Sequence, residues 1–212
     1  MSMDGLWMKF LEDSTILELT NCFNCLKTKV TKVLSHFMTE AIFWSLIEQS
    51  RAESKTRPKQ IFQILQEKLA SFSGDEILRF DHILHEILRF GYRSNMLAAA
   101  TIINIAADLD ELNEFEAFII MQGKEIWDNA LKNPDSLADL EVEDEAKCPE
   151  LLEIPQKAYE QATGEEDFEM VHVDYQPQNL IGKLELWQDE KGKVDKIKLK
   201  SLLPRLYEKW WE

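Results

Sequence analysis

The chain has 212 residues, and its composition of 45% hydrophobic and 30% charged residues is typical of a globular protein. Its formal net charge of −15 argues against a nucleic-acid ligand, because phosphate binding requires clustered Lys and Arg. No apolar run approaches the roughly 20 residues that span a bilayer, and three cysteines are too few for a disulfide framework. We therefore expect a cytoplasmic protein that binds neither nucleic acid nor membrane.

The first segment with a clear periodicity extends from Ile16 to Phe37. Its large apolar residues recur at alternating spacings of three and four, which predicts one apolar stripe along a helix. Cys22 and Cys25 fall within this helix. A redox pair would need its first cysteine at a helix N-terminus, and zinc would need four ligands, so we interpret both as packing residues. Residues 1–37 are expected to form a helical extension, dispensable for the folding of the domain that follows.

Helical periodicity continues from residue 39 to residue 131. Ser73 begins a capping box, and the helix after it ends near Gly91. The segment Asn95–Ala107 is rich in alanine and nearly uncharged, so we expect it to be the buried central helix. Gly123 breaks the pattern between the last two helices. The predicted helices are Thr39–Gln49, Pro58–Phe72, Gly74–Gly91, Asn95–Ala107, Glu111–Met121 and Lys124–Leu131.

The pattern changes near the C-terminus. A short helix is predicted over Pro155–Ala162, and apolar residues alternate with polar ones from Phe168 onward, which is typical of strands. Lys183–Gln188 and Val194–Leu199 are predicted to pair as a β-hairpin, and residues 202–211 to form a closing helix. The sequence thus predicts a mainly α, helical bundle-like fold with a small C-terminal antiparallel β element.

Negative charge is concentrated in one part of the chain. Eight acids and one lysine lie between Asp135 and Glu153, and five acids and no base lie between Gly164 and Leu180. The last part of the chain, from Ile181 to Glu212, is slightly basic, with eight Lys or Arg against six acids. We name residues 135–180 the acidic segment. The C-terminal hairpin carries Lys191, Lys193, Lys196 and Lys198, and we therefore expect it to lie near the acidic segment within one fold.

Short sequence pieces occur in a characteristic order from Met38 to the C-terminus. They are Met38-Thr39-Glu40 with Phe43-Trp44, Tyr92-Arg93, Ile102-Ile103-Asn104, Phe115 with Ile119-Ile120 and Gly123, Asn133-Pro134-Asp135-Ser136-Leu137, Ala158-Tyr159-Glu160 with Thr163-Gly164, and Leu203-Pro204-Arg205-Leu206-Tyr207. In this order they resemble the bacterial domain-of-unknown-function (DUF) family 4240, whose members are uncharacterised. The resemblance implies a helical domain over residues 38–163, on which residues 164–212 pack as an acidic linker, hairpin and terminal helix.

The chain departs from the family pattern at three places. Where the pattern has Ser-Asp-Asp, Phe-Arg and Gly-Arg, this chain has Asp108-Leu109-Asp110, Phe115-Glu116 and Gly123-Lys124. One acid and one arginine of the pattern are therefore missing. A family function that used both groups together would not carry over to this chain.

The candidate binding residues gather around the predicted central helix. Asp108 and Asp110 follow it, and paired carboxylates are suited to acid–base chemistry or to metal binding. The same acids are also favoured at the first turn of a following helix by the helix dipole alone. Tyr92, Arg93 and Asn104 flank the central helix and complete the set of candidate residues.

Two further features of the sequence are of types that occur in functional sites. His82 and His85 share one helical face beside acids, but no second cluster completes a metal site, so we interpret them as solvated or locally paired residues. Trp210 and Trp211 are candidate contacts with a partner, since tryptophan is a favoured anchor in interfaces. We predict no catalytic residue, no metal ligand and no cofactor.

The absence of a complete catalytic constellation and the long acidic segment favour a non-enzymatic protein–protein interaction or accessory module, whose partner is another protein. One alternative is a small-molecule-binding or hydrolytic domain that uses Arg93, Asn104, Asp108 and Asp110. A second alternative is an acidic inhibitor that mimics DNA. The sequence does not predict the oligomeric state.

Overall fold

The computed structural model describes residues 37–54, 60–105, 109–142, 145–171 and 180–211. Residues from Met38 onward belong to one compact unit. The predictions made for residues 16–36, with Cys22 and Cys25, lie outside the described part of the chain. None of the described helices has the length and apolarity needed to cross a membrane.

The described chain is mainly helical, as predicted. Two short 3-10 helices, Pro134–Asp139 and Leu184–Leu186, connect the α-helices. The α-helices in chain order are α1 (Glu40–Ser54), α2 (Ile61–Leu69), α3 (Gly74–Gly91), α4 (Ser94–Ile103), α5 (Leu109–Met121), α6 (Lys124–Lys132), α7 (Pro149–Thr163), α8 (Phe168–Val171), α9 (Lys196–Leu202) and α10 (Pro204–Trp211).

Helix α3 confirms the capping prediction. The Glu76 carboxylate accepts a hydrogen bond from the Ser73 backbone N–H at 3.2 Å, so it reaches back over the helix start. The helix then buries Ile77, Phe80 and Leu84 against its neighbours. Burial of each such side chain contributes about 1.5–3 kcal/mol. The helix therefore forms with the apolar face that its sequence spacing predicted directed into the core.

Helix α4 is the buried central helix, as expected from its alanines. Every one of its residues except Asn95 is buried. Ala98, Ala99 and Ala100 are fully inaccessible, and α5, α10 and the 3-10 helix Pro134–Asp139 pack around it. Small side chains permit this close approach of several neighbours.

Gly123 separates α5 from α6, also as predicted. Its backbone has φ of 101° and ψ of 166°, a region that is essentially restricted to glycine. A Cβ atom at this position would lie 2.5 Å from Arg51 Nη1 and would collide with the Glu48 carboxylate. The residue therefore ends one helix and allows the close approach of α1.

Helix α7 is longer than the predicted Pro155–Ala162. It begins at Pro149, in the first turn, where a missing backbone N–H has no cost. Pro155 therefore lies inside the helix and does not start it. The buried residues Leu151, Ile154 and Ala158 hold the helix against its neighbours across this proline.

The predicted β element is wrong for the described residues, which contain no sheet. Lys183–Gln188 contains a 3-10 turn, Val194–Leu199 leads into α9, and Phe168 begins the helical turn α8. A single antiparallel bridge joins Gln188 to Val194, so the loop between them was predicted correctly but its flanks were not. The physical reason is Asp195, whose carboxylate accepts hydrogen bonds from the backbone N–H groups of two following residues and so starts α9.

Candidate functional site

Tyr92 and Arg93 form the corner between α3 and α4. The Tyr92 N–H donates to Leu88 O and closes α3, while Arg93 has extended backbone angles and precedes the first residue of α4. The Arg93 side chain folds back, and its Nε donates to Phe90 O at 2.7 Å. Both candidate residues are half-buried, and their backbone groups define a tight corner.

Glu116 of α5 lies next to this corner. It is fully inaccessible to solvent, and neither of its carboxylate oxygens has a hydrogen-bond partner among the described residues. A Cβ atom on Gly91 would lie 2.7 Å from Glu116 Cδ and 2.6 Å from Trp127 Cη2, so glycine is required for this packing. Burial raises the pKa of Glu116 well above its ordinary value, and the positive charge of Arg93 offsets part of that rise.

Glu116 is not among the predicted site residues. In the sequence it stands out only as a departure from the family pattern. One sequence signal could have identified it, because this acid stands within the otherwise apolar run Phe115–Met121. A charged residue on the apolar face of a helix must be buried, paired or neutralised.

Asn104 lies at the other end of α4. Its Oδ1 accepts a hydrogen bond from Ala146 N at 2.9 Å, and its Nδ2 donates to Ala146 O at 3.4 Å, so it holds the segment that leads into α7. A helix of this length separates Asn104 from Arg93 by about 15 Å. Asp108 and the side chain of Asp110 lie outside the described part of the chain. The described candidate residues are therefore not brought together.

A surface cleft of about 610 Å³ lies between α1, α3 and α6. Its walls include Trp44 and Trp127, and Lys124 Nζ lies 5.3 Å from the centre of the Trp44 ring. Lys124 also lies 3.5 Å from Glu40 and 3.2 Å from Asp128, so the charge of this lysine is already paired. Neither this cleft nor two others of about 540 and 390 Å³ is lined by Tyr92, Arg93 or Asn104.

Two residue types were considered for metal or redox chemistry. His85 Nδ1 lies 2.9 Å from Asp81 O and 3.4 Å from Asp81 Oδ1, a local contact within α3. The described residues contain no group of three or more His, Cys, Asp or Glu placed to hold a metal ion. Cys148 is buried, and burial raises the pKa of its thiol to about 12, so this thiol is poorly suited to act as a nucleophile.

Trp210 and Trp211 lie at the end of α10 and are both half-buried. Trp211 Nε1 donates to Ile102 O at 2.9 Å and anchors α10 on the central helix. Lys209 Nζ lies 4.4 Å from the centre of the Trp210 ring. Both rings are partly buried against the core of the domain itself, and a role in contacting a partner stays a prediction.

Trp211→Phe is expected to lower the free energy of unfolding by about 1 kcal/mol, because the Ile102 carbonyl loses its donor while an aromatic ring remains. Trp210→Phe is the matched control and should change it by less than about 0.5 kcal/mol. Urea denaturation of both variants is the measurement. Equal losses would show that the indole hydrogen bond is not what anchors α10.

Asp135 caps a helix that is remote in sequence, a contact that local sequence patterns do not predict. Its two oxygens accept hydrogen bonds from the backbone N–H groups of Arg205 at 3.2 Å and Leu206 at 2.9 Å, at the start of α10. Arg205 also pairs with Asp139 at 2.5 Å. Lys209 lies 3.9 Å from Glu141. Arg205 and Lys209 are thus the C-terminal basic residues whose described contacts reach the acidic segment.

The lysines named in the sequence analysis have a different set of contacts. Lys198 Nζ donates to Gln188 O at 2.8 Å and to Glu185 O at 3.3 Å, and Lys196 Nζ lies 5.3 Å from the centre of the Trp211 ring. For the described residues, these are contacts within the C-terminal part of the chain. The expected approach of these lysines to the acidic segment stays a prediction.

The segment Ile181–Lys200 is attached firmly at the N-terminal end of α4. Ile181 exchanges backbone hydrogen bonds with Tyr92 and Ser94, and the buried Trp187 donates from Nε1 to Ser94 O at 3.0 Å. Leu199 is also fully buried. This attachment orders the segment against the helices.

The same segment nevertheless exposes apolar and basic side chains. We name these residues together the lysine–apolar surface: Ile181, Leu186, Val194 and Ile197 with Lys183, Lys191 and Lys193, all exposed.

Comparisons with known proteins identify a family and nothing further. No curated protein and no solved structure matches the chain. The model of one family, described as protein of unknown function (DUF4240), matches residues 38–161, which is more than half of the chain. The chain therefore belongs to the DUF4240 family.

Proposed function

We propose that this protein is a non-enzymatic binding module that recognises another protein through its lysine–apolar surface. The observation that carries the proposal is the exposure of large apolar side chains on a segment that is otherwise well anchored. Ile197 is 84% exposed and Leu186 is 53% exposed, whereas Trp187 of the same segment is 2% exposed. The 3-10 helix that carries Leu186 packs on α9, which carries Ile197, and exposed apolar residues on neighbouring elements are typical of interaction sites.

The exposure is not explained by poor packing of the segment. Trp187 and Leu199 already occupy buried positions, and Asp195 caps the helix that carries Ile197. Moving an aliphatic side chain from water into an interface gains about 1.5–3 kcal/mol. A partner that covers Leu186 and Ile197 together would gain about 3–6 kcal/mol from these two side chains, a large share of the roughly 8 kcal/mol of a micromolar complex, and its other contacts would supply the remainder.

The geometry of the described candidate residues supports a binding module over the enzyme alternative. Arg93 and Asn104 lie at opposite ends of α4, and each is engaged with backbone groups of its own end. Glu116, which is the buried ionisable group beside Arg93, is sealed from solvent. The scarcity of cysteines and the buried thiol of Cys148 support a cytoplasmic location as part of the same proposal.

The test is affinity capture from the native host with the full chain, followed by purification of the captured protein and measurement of its Kd. The variant Leu186→Ser/Ile197→Ser should bind at least about tenfold more weakly than the wild type, since hot-spot contacts of this kind each contribute 1 kcal/mol or more. Met170→Ser is the matched control, because Met170 is 86% exposed on α8 and lies outside the lysine–apolar surface.

Thermal melting should show both variants as stable as the wild type, because exposed substitutions rarely change stability by more than about 0.5 kcal/mol. If the captured protein binds all three chains with equal Kd, the lysine–apolar surface is not its contact and the proposal fails.

A further inference from the structure

We propose that the lysine–apolar surface binds an acidic amphipathic segment of its partner, in which carboxylates alternate with large apolar side chains. This inference rests on the proposed function and specifies the chemistry of the partner. Three observations carry it: the charge of the segment, the orientation of its acids, and the apolar residues between its lysines.

The segment Ile181–Lys200 differs in charge from the remainder of the chain. It contains six lysines and four acids, a net charge of +2, so that all other residues together carry −17. A protein with this distribution repels polyanions over most of its surface, and within residues 135–212 this segment is the part whose net positive charge attracts a carboxylate. Electrostatic complementarity of this kind selects the partner and its orientation.

Two of the four acids of the segment are directed at backbone groups. Asp189 Oδ1 accepts hydrogen bonds from Lys191 N and Lys193 N, both at 2.8 Å. Asp195 Oδ1 accepts from Ile197 N at 3.0 Å, at the start of α9. Their carboxylates therefore serve the local fold.

Three lysines of the surface lack such a role for their side chains. Lys183, Lys191 and Lys193 are exposed and form no ion pair with any described residue. They are placed to meet carboxylates that come from outside, because their ammonium groups form no ion pair with a described acid and the segment as a whole carries +2.

The apolar residues distinguish a protein partner from other anions. A nucleic acid would offer phosphates to the lysines but nothing to cover Leu186, Val194 and Ile197. The segment also has no arginine, the residue best suited to bidentate phosphate contacts. An acidic amphipathic peptide matches both properties, since its carboxylates meet the lysines and its apolar face covers the aliphatic side chains.

The direct test uses a synthetic helical peptide with glutamates on one face and leucines on the other, titrated into the full chain and followed by fluorescence anisotropy. The same peptide with every Glu replaced by Gln is the neutral control. The acidic peptide should bind at least about tenfold more tightly than the neutral one at low salt, and this advantage should shrink as salt is raised because the Debye length shortens.

Charge reversal localises the binding. Lys191→Glu/Lys193→Glu should weaken binding of the acidic peptide by tenfold or more. Lys132→Glu/Lys157→Glu makes the same change in net charge at exposed lysines of α6 and α7 and should weaken it by less than about threefold. If the two double variants weaken peptide binding equally, the effect comes from the net charge of the protein and not from this surface, and the proposal is overturned.

Other occupants are outcomes of the same experiment. Tighter binding of duplex DNA or of phosphatidylserine vesicles than of the peptide would overturn the proposal, as would concentration-dependent self-association in sedimentation that Lys191→Glu/Lys193→Glu abolishes. Failure here is separable from failure of the proposed function. If the peptide does not bind while the captured partner still depends on Leu186 and Ile197, only the chemistry assigned to the partner is wrong.

Discussion

Replacing Asp135 with alanine should lower the free energy of unfolding by about 2–4 kcal/mol. The side chain is buried, and its carboxylate accepts two hydrogen bonds from the N-terminal backbone of α10. Hydrogen bonds to a charged group contribute about 1.5–3 kcal/mol each, and their loss also leaves the N–H of the buried Leu206 without an acceptor. Urea denaturation at neutral pH is the measurement.

The matched control is Asp139→Ala. Asp139 also pairs with Arg205, but its side chain is 71% exposed, so its loss should cost only about 0–1 kcal/mol. Asp135→Asn, which keeps an acceptor oxygen and removes the charge, should lie between the two. If Asp135→Ala and Asp139→Ala destabilise the protein equally, the cap on α10 does not have the role assigned to it.

Replacing Glu116 with methionine should raise the free energy of unfolding by about 1–3 kcal/mol at neutral pH. Methionine has a similar shape and no polar group, so the change removes two buried oxygens that lack partners. Glu114→Met, a half-buried position on the same helix, is the control and should not stabilise the protein. A destabilised Glu116→Met variant would show that the carboxyl group contributes to folding through Arg93.

The pH dependence follows from the raised pKa of Glu116. Because the folded pKa exceeds its ordinary value of 4.5, the folded state keeps a proton that the unfolded state releases. This contribution to stability is fully present below about pH 4.5 and is lost as pH rises through the folded pKa, by at most about 1.4 kcal/mol per unit. The advantage of Glu116→Met over the wild type should therefore grow from pH 5 to neutral pH. Parallel stability–pH curves would contradict the assigned pKa shift.

The helices were predictable because their causes are local. A capping residue at Ser73, the 3.6-residue period of α3 and the glycine at position 123 each act within one or two turns of chain. The alanine-rich composition of α4 likewise indicated burial on most sides, and all of its residues except Asn95 are buried. Such signals depend on hydrogen bonding and periodicity that neighbouring residues establish among themselves.

The C-terminal strands were mispredicted because a short alternating pattern is ambiguous. The residues Ile197 and Leu199 fit a two-residue period, but Leu199, Leu202, Leu203 and Leu206 also fit a helical one. The Asp195 cap and the burial of Leu199 favour the helix. The local cap at Asp195 and the packing of Leu199 against the domain together decided between two patterns that apolar spacing alone left open.

The candidate site was predicted only in part. Tyr92 and Arg93 form a corner at the start of the central helix, and Asn104 closes the opposite end of that helix. These residues flank the same helix in the sequence, but the length of the helix keeps them apart in space. Glu116 lies beside that corner because α5 packs on α4. The local sequence does not specify which face of α5 contacts α4, so this position could not be predicted.

The sequence by itself determined the helical class, the order of the described helices from α1 to α6, and membership of the DUF4240 family. Only the tertiary structure decided that Asp135 caps a helix 70 residues away, that Trp211 anchors on Ile102, and that Leu186 and Ile197 remain exposed. The physical reason is range. Helix formation is governed by hydrogen bonds between residues four apart, whereas caps, buried charges and exposed surfaces depend on contacts between segments that are remote in sequence.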